Sequence, residues 1–221
     1  MTLKETMSAL KKMGTAQNRK VYKRHGSGDN VFGVSFAQLR PFAKKIGTDH
    51  RLAEQLWASG NSDARTLATM IADADQYTAT TADDWVADIS YYLLADMFAP
   101  VIARSKLAKG KLSKWTRSRK EFVRRCGYDL LACLLKDHPE KLDDATCHEF
   151  LHTIEKQIHA SPNYARHAMN MAIAAIGIYR PSVRTQALTT AKRIGKVEVD
   201  HGETGCRTPD AASYIRKAVS R

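Results

Sequence analysis

Long apolar runs, cysteine pairs, alternating strands and acidic residues are all scarce in this 221-residue chain, and each shortage excludes something. No stretch approaches the ~18 uninterrupted apolar residues that a membrane-spanning helix requires. The opening MTLKETMSALKKMG carries no apolar block of the kind that directs secretion, so the expectation is a soluble, intracellular protein that does not use a membrane. The four cysteines, Cys126, Cys133, Cys147 and Cys206, form no Cys-x-x-Cys pair. They read as buried thiols of a reducing compartment.

Chemistry-bearing motifs are equally sparse. The glycine-rich RHGSGDNVFG lacks both a Lys-Ser/Thr pair and a preceding strand, which excludes a nucleotide-cradling loop. Asp200, His201 and Cys206 sit close together in VDHGETGCRTPDA, yet no matching pair with zinc-ligand spacing occurs elsewhere. No metal and no organic cofactor is expected, and the segment reads as a hydrogen-bonded turn before the last helix. The eight histidines show no spacing that joins one of them to a serine or cysteine nucleophile.

Positive charge is plentiful. Lys and Arg number 35 against 23 Asp and Glu, giving a formal net charge of +12 and a pI near 9.6. Such an imbalance points to a polyanionic partner, with nucleic acid as the first candidate. The excess is also uneven: Arg104 to Arg125, RSKLAKGKLSKWTRSRKEFVRR, holds ten Lys/Arg and a single acid. That concentration favours a phosphate-facing surface over an ordinary solvated helix face.

Apolar residues recur at three- and four-residue spacing almost throughout, which predicts an all-α chain of ten to twelve helices. SFAQLRPFAKKIG and HRLAEQLWASG end on Gly47 and Gly60. TADDWVADISYYLLADMF reads as one helix opened by Thr81 and Asp84 in capping-box spacing. Pro139 and Pro162 stop two further helices, and Thr208-Pro209 reads as an N-cap and first helical position of the last one. Helix pairs recurring near 40 residues suit an α-α superhelix as well as a compact bundle, read as a single domain over residues 1–221.

Five blocks then carry a resemblance: VYKRHGSGDNVFGVSFAQLRPFAKKIG, LAEQLWASGNSDARTLATMIAD, DDWVADISYYLLADMF, WTRSRKEFVRRCG and GKVEVDHGETGCRTPDAASYI. In this order they resemble the DNA alkylation repair family of HEAT-like-repeat alkylpurine DNA glycosylases. The resemblance implies a C-shaped HEAT-like solenoid with a basic concave groove for double-stranded, alkylated DNA. It also implies release of purines made cationic by N3 or N7 alkylation, without drawing the base into a pocket. A cytoplasmic, nucleoid-associated monomer is the corresponding expectation.

The same resemblance assigns residues. The spacing in YYLLAD aligns Asp96 with the family's catalytic carboxylate and Tyr92 with an aromatic wall of the lesion site. Asp96 alternatively caps a helix beginning at Met97. Arg125, with Arg124 as the register alternative, aligns with an arginine that grips the phosphate beside the lesion; an exposed arginine on a basic helix is the plainer reading. Met171 stands where the family has a second aromatic, which puts activity in question; Met169 and Met171 are otherwise core residues. Lys111, Lys114, Arg117, Lys120 and Arg124 are expected to supply a nonspecific phosphate field, with Arg166 and His167 as further DNA contacts. Trp57 and Trp85 read as core anchors, whereas Trp115, beside Lys114 and Arg117, is divided between the core and DNA. Two rivals remain: a non-catalytic binder of damaged, bent or branched DNA, and a solenoid scaffold for acidic proteins.

Overall fold

Short polar side chains open seven of the α-helices: Thr2, Thr15, Asp49, Asn61, Thr78, Asp143 and Asp210 each accept a backbone N–H from the first turn. These caps satisfy donors that a helix start leaves without intrahelical partners. The structure, a computed structural model, describes Met1 to Ser220, and among these residues thirteen α-helices and four short 3-10 turns are the only regular elements. They divide into two compact units, Met1–Ser105 with Gly202–Thr204, and Lys106–His201 with the residues from Gly205.

The first unit contains α1 (Leu3–Met13), α2 (Ala16–Arg24), α3 (Phe36–Ile46), α4 (His50–Ala58), α5 (Ser62–Ile71), α6 (Ala79–Ala87) and α7 (Tyr92–Arg104). Its core is aromatic. Trp57 and Trp85 are buried and stacked, with centroids 4.1 Å apart and planes 11° from parallel; Tyr77 and Phe98 close around them. The Trp57 indole N–H donates to Asp88 Oδ2 at 3.2 Å, so the one polar atom of the ring is satisfied. Both tryptophans are the core anchors that the sequence suggests.

The second unit contains α8 (Ala108–Trp115), α9 (Glu121–Asp137), α10 (Asp144–Gln157), α11 (Asn163–Tyr179), α12 (Arg184–Ile194) and α13 (Ala211–Val219). Here α9 packs on α11 and α10 on α12, a recurrence of about 40 residues between helices in equivalent places. Leu130, Leu131 and Leu134 of α9, with Ala172, Ile173 and Ile176 of α11, are wholly buried. Gly127 lets α8 and α9 approach: a Cβ there would stand 2.6 Å from the Thr116 nitrogen and 2.8 Å from the Trp115 carbonyl carbon.

Three expectations are corrected. The single helix expected from Thr81 onward is two, because Thr78 starts α6, Asp88 ends it, and Tyr91 is extended (φ −148°) before α7. The last helix is capped by Asp210, whose Oδ1 accepts the Ser213 N–H at 2.7 Å; Thr208 is engaged elsewhere. Cys126 and Cys147 are buried as expected, but Cys133 is partly exposed and Cys206 lies on the surface.

Candidate nucleic-acid interface

Helical spacing makes the first set of residues. Tyr92 is the first residue of α7 and Asp96 lies four further on, so the two side chains share one face, a single turn apart. Asp96 is exposed, in contrast to Leu94, Ala95, Phe98 and Ala99, which turn into the core. Because α7 starts at Tyr92, Asp96 does not cap a helix beginning at Met97. Pro100 lies within α7 and has no N–H, so the helix lacks its Asp96–Pro100 rung.

A histidine that carries no signal in the local sequence completes this set. The Tyr92 hydroxyl stands 2.5 Å from Nδ1 of His25, with the two rings edge to face at 5.7 Å. Burial, and then the Arg24 charge, hold the His25 imidazole below its usual pKa and so favour its neutral form. His25 is the C-cap of α2 and begins the glycine-rich strap. No neighbouring pattern marks it, because its partner lies 67 residues away.

The strap itself is anchored by α5. The buried Asp63 carboxylate accepts the N–H groups of Phe32 (2.6 Å), Gly33 (3.0 Å) and Val34 (2.9 Å). Ser62 Oγ donates to the Ser27 carbonyl at 2.7 Å, and the Ser62 N–H to that of Asn30 at 2.9 Å. Gly33 has φ +82°, and a Cβ there would meet Arg19 N and Thr15 O at 2.6 Å. The glycines therefore shape a pinned strap. Next to Tyr92, Tyr91 is buried, and burial followed by the Asp63 charge push its phenol well above the ordinary value.

In the second unit the consecutive Arg124 and Arg125 leave α9 in different directions. Arg124, half-buried, donates from Nε to the Ser118 carbonyl (2.7 Å) and from Nη1 to Ser161 Oγ (2.9 Å). Arg125 is only 4% exposed, with Nη1 donating to the Tyr164 carbonyl at 3.2 Å and Nε 3.4 Å from Asp129 Oδ2. It is therefore not an exposed arginine on a basic helix. Lys111 is also buried, with its ammonium 5.9 Å from the Trp115 ring, which corrects its expected place in a solvated field. Trp115 is 1% exposed, so it is a core residue and offers no ring for base stacking. Lys114, Arg117 and Lys120 do present their charges to solvent. Arg117 and Arg124 also line a cleft of about 690 Å³ whose wall includes Glu140, Asp143 and Glu149, acids that offset part of the positive charge there.

The remaining expected contacts lie on α11. Met169 is wholly buried, while Met171, two residues on, is partly exposed. Arg166 Nη2 lies 3.5 Å from Asn163 Oδ1. His167 Nδ1 and His201 Nε2 both meet Thr208 Oγ1, at 2.9 and 3.0 Å. Burial, followed by the charges of Arg125 and His201, pushes His167 down to about 4. At neutral pH it has no positive charge to offer a phosphate, so its role there is limited to hydrogen bonding. Among the described residues, no group of three or more His, Cys, Asp or Glu is placed to hold a metal ion, and no helix is long and apolar enough to cross a membrane.

Residues 6–215 match the family model of the DNA alkylation repair enzymes. The chain belongs to the DNA alkylation repair family. That match runs from Thr6 in α1 to Ile215 in α13 and takes in every residue of the sets described above. Among curated relatives, uncharacterized proteins of Listeria innocua and Listeria monocytogenes are 26% and 25% identical over 227 residues, each covering 100% of this chain and 99% of the relative. A solved structure aligns at a TM-score of 0.92 and 28% identity, covering 100% of this chain and 94% of that one. It represents a family described as related to the HEAT-like repeat DNA glycosylases, with affinity for branched DNA structures. This member of the DNA alkylation repair family thus has the all-α, HEAT-like repeat architecture.

Proposed function

We propose that this protein binds duplex DNA and hydrolyses the N-glycosidic bond of cationic N3- or N7-alkylated purines, with Asp96 as its catalytic carboxylate. The observation that carries the reading is the exposed Asp96 one helical turn from Tyr92 on α7. A cationic purine is already a good leaving group. Water adds to C1′ as the C1′–N9 bond breaks, the bonding electron pair neutralises the departing purine, and the water's proton passes to Asp96 or to solvent. The carboxylate stabilises positive charge building on the sugar and orients the water. The Tyr92 ring supplies a π face for the same cationic sugar, worth on the order of 1 kcal/mol when desolvated.

The exposed Lys114, Arg117 and Lys120 serve as phosphate contacts in this reading, independent of base sequence. Arg125, only 4% exposed and bonded to the Tyr164 carbonyl, is a second-line contact in this reading.

A second reading is favoured by one observation, that the aligned solved relative belongs to a family described as having affinity for branched DNA structures, and it agrees with the resemblance, which implies an aromatic where this chain has Met171. On that reading the protein recognises branched structures without excising a base. One experiment separates the two. Purified protein is incubated with a duplex carrying a single N7-methylguanine and, separately, its affinity for a four-way junction is compared with that for the linear duplex. Release by wild type and none by Asp96→Asn, with binding retained, supports the glycosylase. No release, together with strong preference for the junction, replaces it with the branched-DNA binder.

A further inference from the structure

Tyr92 stands at the start of α7, where the helix has only one turn to hold it. Its ring is steadied from outside the helix. The 2.5 Å contact with His25 Nδ1 is short for a phenol-to-imidazole hydrogen bond, and the edge-to-face arrangement at 5.7 Å adds ring contact. His25 is itself held by its own backbone: its N–H reaches the carbonyls of Val21 and Tyr22, and Ser27 beyond it donates to Tyr22 as well. The strap continues to the three N–H groups gripped by Asp63 and to the Val34 carbonyl, which accepts the Tyr22 hydroxyl at 2.9 Å. A chain of hydrogen bonds thus leads from the buried end of α5 to the Tyr92 oxygen.

From this geometry we infer that His25 is the positioning residue for Tyr92: Nδ1 accepts the phenolic O–H and fixes the ring beside Asp96. The inference rests on the glycosylase reading for what Tyr92 faces, namely a deoxyribose. A neutral imidazole whose Nδ1 accepts carries its proton on Nε2, so the pair has a defined donor and acceptor. A tyrosine ring is smaller than an indole and, with Tyr91 edge to face at 6.1 Å, still has χ1 and χ2 to turn about. The histidine removes that freedom before DNA arrives, which is how a preorganised wall contributes to rate rather than to affinity.

The test is a double-mutant cycle with His25→Phe, Tyr92→Phe and both together, with His25→Asn as the conservative variant because its Oδ1 can take the place of Nδ1. Release of N7-methylguanine is expected to fall about tenfold in kcat for each single variant, the equivalent of one hydrogen bond, with KM unchanged. The double variant should fall no further, and His25→Asn should recover most of the loss. The nitrogen NMR signal of His25 Nδ1 should show a hydrogen-bonded acceptor in wild type and shift in Tyr92→Phe. Full kcat in His25→Phe, an additive double variant, or an Nδ1 signal indifferent to Tyr92→Phe overturns the inference. A wild type that releases no base overturns the glycosylase reading instead. The cycle is then read on the dissociation constant for a four-way junction, where equal and non-additive losses sustain the pairing and unchanged binding overturns it.

Discussion

Asp63 Oδ2 lies 2.6 Å from the backbone nitrogen of Phe32, a residue 31 positions earlier in the chain. With Gly33 and Val34 as its other donors, this buried carboxylate replaces water for three consecutive amides of a strap that has no secondary structure of its own. Asp63→Ala leaves those amides without their acceptor and is expected to destabilise the protein by at least about 3 kcal/mol, since bonds to a charged acceptor are the stronger kind. Asp63→Asn, which keeps one acceptor oxygen, should lose roughly half as much. Urea unfolding checks both, and equal midpoints for wild type and Asp63→Ala would show the strap to be held by other means.

Gly127 makes the α8–α9 contact possible, and alanine there should destabilise despite being the better helix former. The gain of about 1 kcal/mol in a helix interior is outweighed by driving a methyl group into the Thr116 and Trp115 backbone. A net loss of about 1–3 kcal/mol is expected, read as a lowered thermal midpoint. A raised midpoint would mean that α8 moves away at little cost.

Stability should fall on mild acidification through His167. Its ordinary pKa is 6.5 and its folded value about 4, lowered by burial and by the Arg125 and His201 that face it. Above pH 6.5 it is neutral in both folded and unfolded chains. Between these two values the unfolded chain takes up a proton that the folded chain refuses, so stability drops as pH falls, by up to roughly 3–4 kcal/mol. Unfolding in denaturant across this window should show the drop in wild type and a smaller one in His167→Gln. Parallel pH profiles would remove His167 as the cause.

Binding to DNA should depend steeply on salt. Removing one cation that neutralises a phosphate of B-form DNA makes the slope of log affinity against log salt shallower by about 0.9. Replacing the exposed Lys114, Arg117 and Lys120 by glutamine should therefore flatten the slope by up to about 3 while leaving stability nearly unchanged. Lys111→Gln should instead act mainly on stability, because its side chain is buried. An unchanged slope in the triple variant would put the phosphate-binding surface elsewhere on the protein.

Periodicity, prolines and terminal glycines were enough to determine an all-helical chain, because those signals act within one or two turns. Gly47 does end α3 and Pro139 does follow the end of α9, whereas α10 already stops at Gln157 and Pro162 is the N-cap position of α11. The four-residue step from Tyr92 to Asp96 was legible for the same reason, since it needs only that the segment be a helix. What the local pattern left ambiguous were choices between competing caps: Thr78 over Thr81, and Asp210 over Thr208.

Tertiary structure alone decided which of the many basic residues meet solvent. Lys111 and Lys114 look alike in sequence, yet one lies over Trp115 and the other faces water, because α8 turns one side to its neighbour. Arg124 and Arg125 are adjacent and interchangeable by register in the sequence, but a rotation of about 100° per residue sends them to different partners. Asp63 and His25 could not be read at all from their neighbours. Their meaning lies in hydrogen bonds spanning 29 to 67 residues, which local propensity does not encode and which form only when the helices have packed.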